Sequence, residues 1–272
     1  MRITDNDLKI FKILYKVFWM PTELIALLID EPVAYTNRRL IRMRANGYIG
    51  REVLAGSACN YLTRSGMNFL DLPHRNVRKP SLYQYEHQLG EAQMYCFLSM
   101  YPLTKAKKPL ARFFEIITER DLLCCRDWEV VGYKSNGAKK MRAADEDFHV
   151  PDGYIRSTSG QLYGLEFERS RKSATSNTQL INNIHSNSLI FGTQLWFAEG
   201  KLVQNKIHRE KGDNKILIYD MATVRAWLDT RIASLSETIS WKEKRTPEDR
   251  LGDWTTPKPL NQLMENIDLQ LE

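Results

Sequence analysis

No stretch of this 272-residue chain holds the about 18 uncharged apolar residues that a membrane-spanning helix needs, so nothing in it predicts insertion into a bilayer. The N-terminal MRITDNDLKI is charged and lacks the apolar run and small-residue cleavage site of a secretory signal, and the chain is expected to be cytoplasmic. Cysteine is scarce. Cys59, Cys96, Cys124 and Cys125 are scattered apart from the last two, a pattern that fits neither a disulfide framework nor the paired spacing of a zinc site, and they read as buried thiols. Internal repeats and low-complexity tracts are also missing, which excludes solenoid and fibrous architectures.

What is present is an ordinary globular composition, 43% apolar and 26% charged, in a chain long enough for two domains. The formal charge of +6 and the isoelectric point near 9.0 say less than the distribution of that charge. Between Val33 and Gly66 lie Arg38, Arg39, Arg42, Arg44, Arg51 and Arg64, against the single acid Glu52. Guanidinium groups suit phosphate oxygens and guanine edges. No acid stands four residues from these arginines to pair with them along the helix, so contact with double-stranded DNA is the expected way their mutual repulsion is relieved.

The first 72 residues predict three helices and a hairpin. DNDLKIFKILYKVFW places Leu8, Phe11, Ile13, Leu14 and Val17 at helical intervals behind an Asp-Asn-Asp capping cluster. Met20-Pro21 interrupts, and Thr22 is expected to cap ELIALLI. AYTNRRLIRMRAN follows with Leu40, Ile41 and Met43 inward and the arginines outward, and Gly47 stops it. Two β-rich runs then surround the turn Ala55-Gly56-Ser57. The basic, proline-bearing PHRNVRKPSL, without periodicity, marks a boundary, and a second domain is expected over 83–238.

That second domain opens with the helix YQYEHQLGEAQMYCFLSMY, whose Leu89, Ala92, Tyr95, Cys96 and Ser99 share a face. LARFFEIITERDLL reads as a helix or a helix-to-strand element, WEVVGY as a strand, and the lysine-rich segment after it as a loop. FHVPDGYIR and QLYGLEFERS form an antiparallel hairpin. Alternating helices and strands then complete a mixed sheet flanked by helices, an α+β architecture, and 239–272 is expected to be a loosely docked tail.

The hairpin gathers Asp152, Glu166 and Glu168. Residues two apart on a strand face one way, so Glu166 and Glu168 point together, with Leu165 and Phe167 opposite, and Asp152 lies on the partner strand. Carboxylates set that close repel unless a cation sits between them, and an oxygen-only ligand set favours Mg²⁺ or Mn²⁺. Each has a plainer explanation: Asp152 bonding its own turn, Glu166 pairing with Arg156 or Arg169 on a solvated face, Glu168 a surface charge at the strand end.

Taken together, RRLIRMRANGYI resembles the recognition helix and first wing strand of winged helix-turn-helix proteins. Pro151-Asp152 followed by Glu166-Phe167-Glu168 resembles the PD-(D/E)XK nuclease superfamily, and the order winged helix, YEHQLGEAQ with His87, TERDL, VPDGYI and LEFERSRKS resembles the replication-relaxation and MobC-type plasmid relaxase family. The resemblance implies a restriction-endonuclease-like domain in which Asp152, Glu166 and Glu168 hold Mg²⁺ or Mn²⁺, with Glu119 as the carboxylate from an upstream helix. It also implies metal-dependent nicking at a plasmid or mobile-element origin, with other mobilisation proteins as further partners. The family's lysine two residues after the glutamate is Glu168 here, leaving Lys172 or Arg169 to stand near the scissile phosphate. A relaxase of the more widespread type would show a histidine cluster, which these five histidines do not form.

Two other functions stay open at this point: a non-catalytic replication or transcription regulator at an operator site, keeping the nuclease fold as scaffold, and a phage-defence nuclease indifferent to an origin. His87 reads more readily as a capping or partly buried residue than as a catalyst, Cys124 and Cys125 as core, Trp196 and Phe197 as a buried strand. Tyr154 and Tyr163 flank the site but are also routine strand residues.

Overall fold

The computed structural model describes residues 3–54, 56–73, 81–100, 104–105, 108–109, 113–124, 128–133, 139–143, 150–157, 160–169 and 175–243. Helix α1 (Asp5–Lys16) begins at a reciprocal cap, with the Asp7 amide donating to Thr4 Oγ1 and the Thr4 amide to Asp7 Oδ2, so Thr4 and Asp7 do the capping expected of the acidic cluster. Its buried side is Asp7, Ile10, Phe11 and Leu14. After β1 (Met20–Pro21), helix α2 (Thr22–Ile29) starts without a side-chain cap. The expected cap, Thr22, is the first helical residue, and its hydroxyl accepts from Asn60 Nδ2 at 3.2 Å. Asp30, left-handed at φ 53°, ends α2.

Helix α3 (Val33–Ala45) carries the arginines and stops at Asn46 and Gly47, whose φ of 74° favours glycine. Leu40 and Met43 face the core, but Ile41, expected inward, is half exposed because the stripe narrows to Thr36, Leu40 and Met43. The hairpin β2 (Ile49–Leu54) and β3 (Ser57–Leu62) joins β1 in a sheet of order β1-β3-β2, antiparallel throughout, and the short α4 (Arg64–Phe69) follows, capped by Thr63.

Helix α5 (Leu82–Met100) comes next, then the small hairpin β4 (Thr104–Lys105) and β5 (Lys108–Pro109). Over 113–124 the expected helix-first order is reversed: strand β6 (Phe113–Thr118) precedes helix α6 (Glu119–Cys124). Phenylalanine and isoleucine favour the strand, and Thr118 together with Asp121 starts the helix, Thr118 Oγ1 donating to the carboxylate while accepting from the Asp121 amide. The hairpin β7 (Trp128–Tyr133) and β8 (Lys139–Ala143) puts a strand where the sequence reads as loop.

The chain then runs through β9 (Gly153–Ser157), β10 (Leu162–Glu168), α7 (Thr175–Ile190), β11 (Thr193–Ala198), α8 (Lys201–Glu210), β12 (Ile216–Asp220) and α9 (Met221–Glu243). Helix α9 extends past residue 239, into the segment expected to be a tail, and 244–272 lie outside the described residues. The five strands β6, β9, β10, β11 and β12 form one mixed sheet in that spatial order. Strand β9 is antiparallel to both neighbours, and β11 and β12 run parallel to β10. Parallel neighbours need a crossover, which α7 and α8 supply.

The two faces of the sheet bury different sets. Leu165, Phe167, Leu195 and Phe197 join α5 and α9 in one core, whereas Trp196 and Ala198 pack with Leu180, Ile184, Val203 and Ile207 of α7 and α8. The first core does not stop at the sheet. It continues through Phe97 and Leu228 into Leu24, Ile25, Leu40 and Met43, so α2 packs on α5 and α9 within one apolar volume. Each large side chain fully buried there contributes about 1.5–3 kcal/mol, which fixes the N-terminal helices against the sheet-bearing part. Gly90 lets α5 approach closely, since a Cβ at that position would overlap the Phe167 ring. Among the described residues no helix is long and apolar enough to cross a membrane.

Candidate functional site

The hairpin register ends at Gly153 opposite Leu165, which leaves Asp152 as the next residue on the β9 side and Glu166 as the next on β10. Asp152 Oδ2 accepts the Phe167 amide at 2.6 Å, and the Asp152 carbonyl accepts the Glu119 amide at 2.7 Å, so this residue ties the ends of three elements together. Its other oxygen turns toward α5. His87 Nε2 stands 3.4 Å from Asp152 Oδ1 and 3.0 Å from Glu91 Oε1, one helical turn further along α5. One ligand atom from each of His87, Glu91 and Asp152 lies within 4.8 Å of the others, and among the described residues this is the grouping of three metal-binding side chains that the fold assembles.

The close packing at Gly90 positions both residues of α5, and the His87 ring lies 5.5 Å from that of Phe167. Glu119, the first residue of α6, Glu91, Asp152 and Leu165 line one cavity of about 190 Å³. Burial and then the Glu91 and Asp152 carboxylates push the Glu119 carboxyl up to about 8, with Glu166 adding a smaller push and His87 opposing. Burial likewise raises Glu91. For His87, burial disfavours the charged ring, but its contacts with Asp152 and Glu91 outweigh that and carry it up to about 11. The imidazolium therefore serves as counter-ion to two carboxylates, with a third left beside them.

This corrects the expected ligand set. Asp152 is in place, but Glu166 and Glu168 are not members of the cluster. Glu166 is buried on the α7 side, where Asn187 Nδ2 donates to its Oε1 at 2.7 Å. Asp152 bends toward the opposite, α5-covered side. Alternation assigned Glu166 and Leu165 to different faces correctly; what it could not supply was that Asp152 follows Leu165. Glu168 is half-buried at the strand end, and its carbonyl accepts the Glu199 amide. Glu119 is present in the cavity, but the helix laid against the sheet ahead of β6 is α5, and its carboxylate is Glu91, which sequence reasoning missed. The legible signal was His87 and Glu91 four residues apart, with Gly90 between them, on one helix. Arg169 is engaged elsewhere, paired with Glu86 of α5 and lying 3.5 Å from Glu199, which Arg225 also holds. Lys172 lies outside the described residues.

The donor set is carboxylate-rich with one imidazole, where oxygen alone was expected. One buried acceptor beside the cavity, Gln88 Oε1, has no hydrogen-bond partner.

The arginine surface also differs from expectation. Arg39 donates to Glu31 at 2.7 and 2.9 Å and to Asp7 at 3.2 Å, and Arg42 reaches Asp7 at 2.9 Å. These arginines do have acid partners, supplied by α1 and by the residues before α3 rather than by their own helix. Arg44 is half-buried against Asn60, and burial and Arg51 lower its pKa. Arg38, stacked over Tyr35 at 5.3 Å, stays exposed with Arg51 and Arg64. Tyr35, Arg38, Arg39 and Arg42 line a surface groove.

Fold and site together define an α+β chain in which a five-stranded mixed sheet carries a His-Glu-Asp cluster at one end and a basic helix stands on the attached N-terminal part. No family model, curated protein or solved structure matches the chain.

Proposed function

We propose that this protein binds double-stranded DNA through α3 and the β2–β3 hairpin and nicks it at a divalent-metal site formed by His87, Glu91 and Asp152, with Glu119 beside them. In this reading the N-terminal helices and hairpin are a winged helix, and the sheet of order β6-β9-β10-β11-β12 is a PD-(D/E)XK nuclease-like core of the replication-relaxation type, acting at an origin. One observation carries it: Glu91, Glu119 and Asp152 converge on a single cavity, and among the described residues His87 is the cation in contact with them.

Glu91 and Asp152 would offer oxygens to a divalent ion, and His87 would hold them as hydrogen-bond donor, or serve as a third ligand once its proton is released to solvent. A bound divalent ion supplies Lewis-acid polarisation of the phosphodiester and a more acidic water. The Glu119 carboxyl, protonated at neutral pH, holds a proton beside the leaving oxygen. Exposed Arg38, Arg51 and Arg64 hold backbone phosphates.

A second reading, a DNA-binding regulator with an inactive nuclease-like domain, draws on the Glu166 carboxylate being bonded to Asn187 and on glutamate at position 168. Supercoiled plasmid carrying the cognate origin separates the two. With Mn²⁺ or Mg²⁺ the wild type is expected to yield open circles and Asp152→Asn none. Retarded but uncut plasmid with both metals contradicts nicking and leaves the regulator.

A further inference from the structure

The acidic cavity is closed on one side by the N-terminal part of the chain. Lys16, the last residue of α1, lines it with Val17 and Phe18, as do Glu91, Glu119 and Asp152. Lys16 Nζ docks this turn on β6 by donating to the Ile116 carbonyl at 2.8 Å, and the Lys16 carbonyl lies 3.2 Å from Thr118 Oγ1, whose one proton it shares with Asp121. An ammonium has three donors, and the Ile116 carbonyl occupies one. Among the described residues no carboxylate pairs with Lys16, although it shares a cavity with three acids. It is held by a neutral carbonyl, within reach of the cavity, with donors to spare. The unpartnered acceptor of Gln88 on the same wall marks the space as one that takes a polar guest.

We propose that Lys16 is a substrate-binding residue of the nuclease site: its ammonium takes a non-bridging oxygen of the phosphodiester that enters between it and the Glu91–Asp152 pair. This rests on the nicking activity proposed above. A phosphate between a metal and an ammonium has its charge balanced from both sides, whereas acids alone would repel it. The DNA-binding part of the chain then contributes directly to the cutting site, and cleavage requires α1 to be seated on β6.

Three substitutions separate charge from docking. Lys16→Gln keeps a donor for Ile116 and removes the charge, Lys16→Met keeps only the stem, and Lys16→Arg restores the charge. The expected result is that Lys16→Gln keeps the wild-type melting temperature and, by Mn²⁺ paramagnetic resonance without DNA, its metal affinity, yet nicks supercoiled origin plasmid about 100-fold more slowly, the size of loss typical of a removed charge-stabilising donor. Lys16→Arg should recover most of that rate. Wild-type nicking by Lys16→Gln overturns the inference while leaving the nuclease reading intact. So does a loss shared by Lys16→Arg and matched by lower melting temperature, which makes Lys16 a docking residue only. A wild type that fails to nick with either metal overturns the nuclease reading, and the role of Lys16 falls with it.

Discussion

Two charged clusters in this molecule are built on opposite terms. Around α3, Arg39 and Arg42 meet Asp7 and Glu31, two cations against two anions, with hydrogen bonds spread over both acids. At the sheet end, Glu91 and Asp152 contact one cation among the described residues, His87, with Glu119 beside them, and two of the three acids have raised pKa values. The first arrangement is complete as it stands, because a buried acid is tolerated when its charge is matched. The second is complete only when something positive joins it. Ion pairs that neutralise one another hold a fold; an unmatched like-charge group marks a place for a ligand.

The comparison breaks most visibly at Asp7. This residue is fully buried, accepts from two arginines and completes the cap of α1, so Asp7→Ala is expected to cost about 3 kcal/mol by chemical denaturation. Glu91→Gln at the other cluster should instead leave stability unchanged or higher without metal, since it removes one of the crowded charges. Equal destabilisation by the two substitutions contradicts the distinction drawn between them.

A smaller effect is expected at Gly90, where the overlap of a Cβ with Phe167 forces α5 away from β10. Gly90→Ala should cost about 2 kcal/mol, within the range for overpacking, and should weaken divalent-metal binding because His87 and Glu91 move with the helix. Retained affinity would show that the cluster does not depend on this approach.

The smallest effect is in pH. Glu119 keeps its proton in the folded chain up to about 8 but loses it near the ordinary 4.5 when unfolded. Its contribution to stability is therefore fully present below 4.5 and is lost as pH rises through 8. Unfolding free energy of the metal-free wild type should decline over that window more steeply than that of Glu119→Gln, and added Mn²⁺ should flatten the difference. His87 contributes in the same direction over a higher window, from its ordinary 6.5 to about 11, so the paired variant is the necessary reference.

Much of the fold was legible. Alternation gave the β9–β10 hairpin and two faces for Leu165 and Glu166, while helical spacing and Gly47 gave α1 and α3. The order of β6 and α6 was not, because a short apolar run followed by TERD satisfies both periods until the sheet supplies neighbours. The candidate site was half legible. Asp152 was found from local pattern and Glu119 through the family resemblance, but Glu91, and the pairing of His87 with Asp152, come from α5, more than fifty residues before Asp152 by the numbering, where the close approach at Gly90 brings them in. The partners of Arg39 and Arg42 escaped for the same reason. Asp7 lies 32 and 35 residues away along the chain, beyond any test of helical neighbours.

The central claim is that the sheet-end acids form a divalent-cation site, and isothermal titration of the DNA-free protein with Mn²⁺ tests it most directly. The account predicts one saturable site in the wild type, abolished by Asp152→Asn, strongly weakened by Glu91→Gln and unchanged in Glu166→Gln. Equal weakening by Glu166→Gln would return the metal to the other face of β10, and a wild type that takes up no Mn²⁺ would contradict the site altogether.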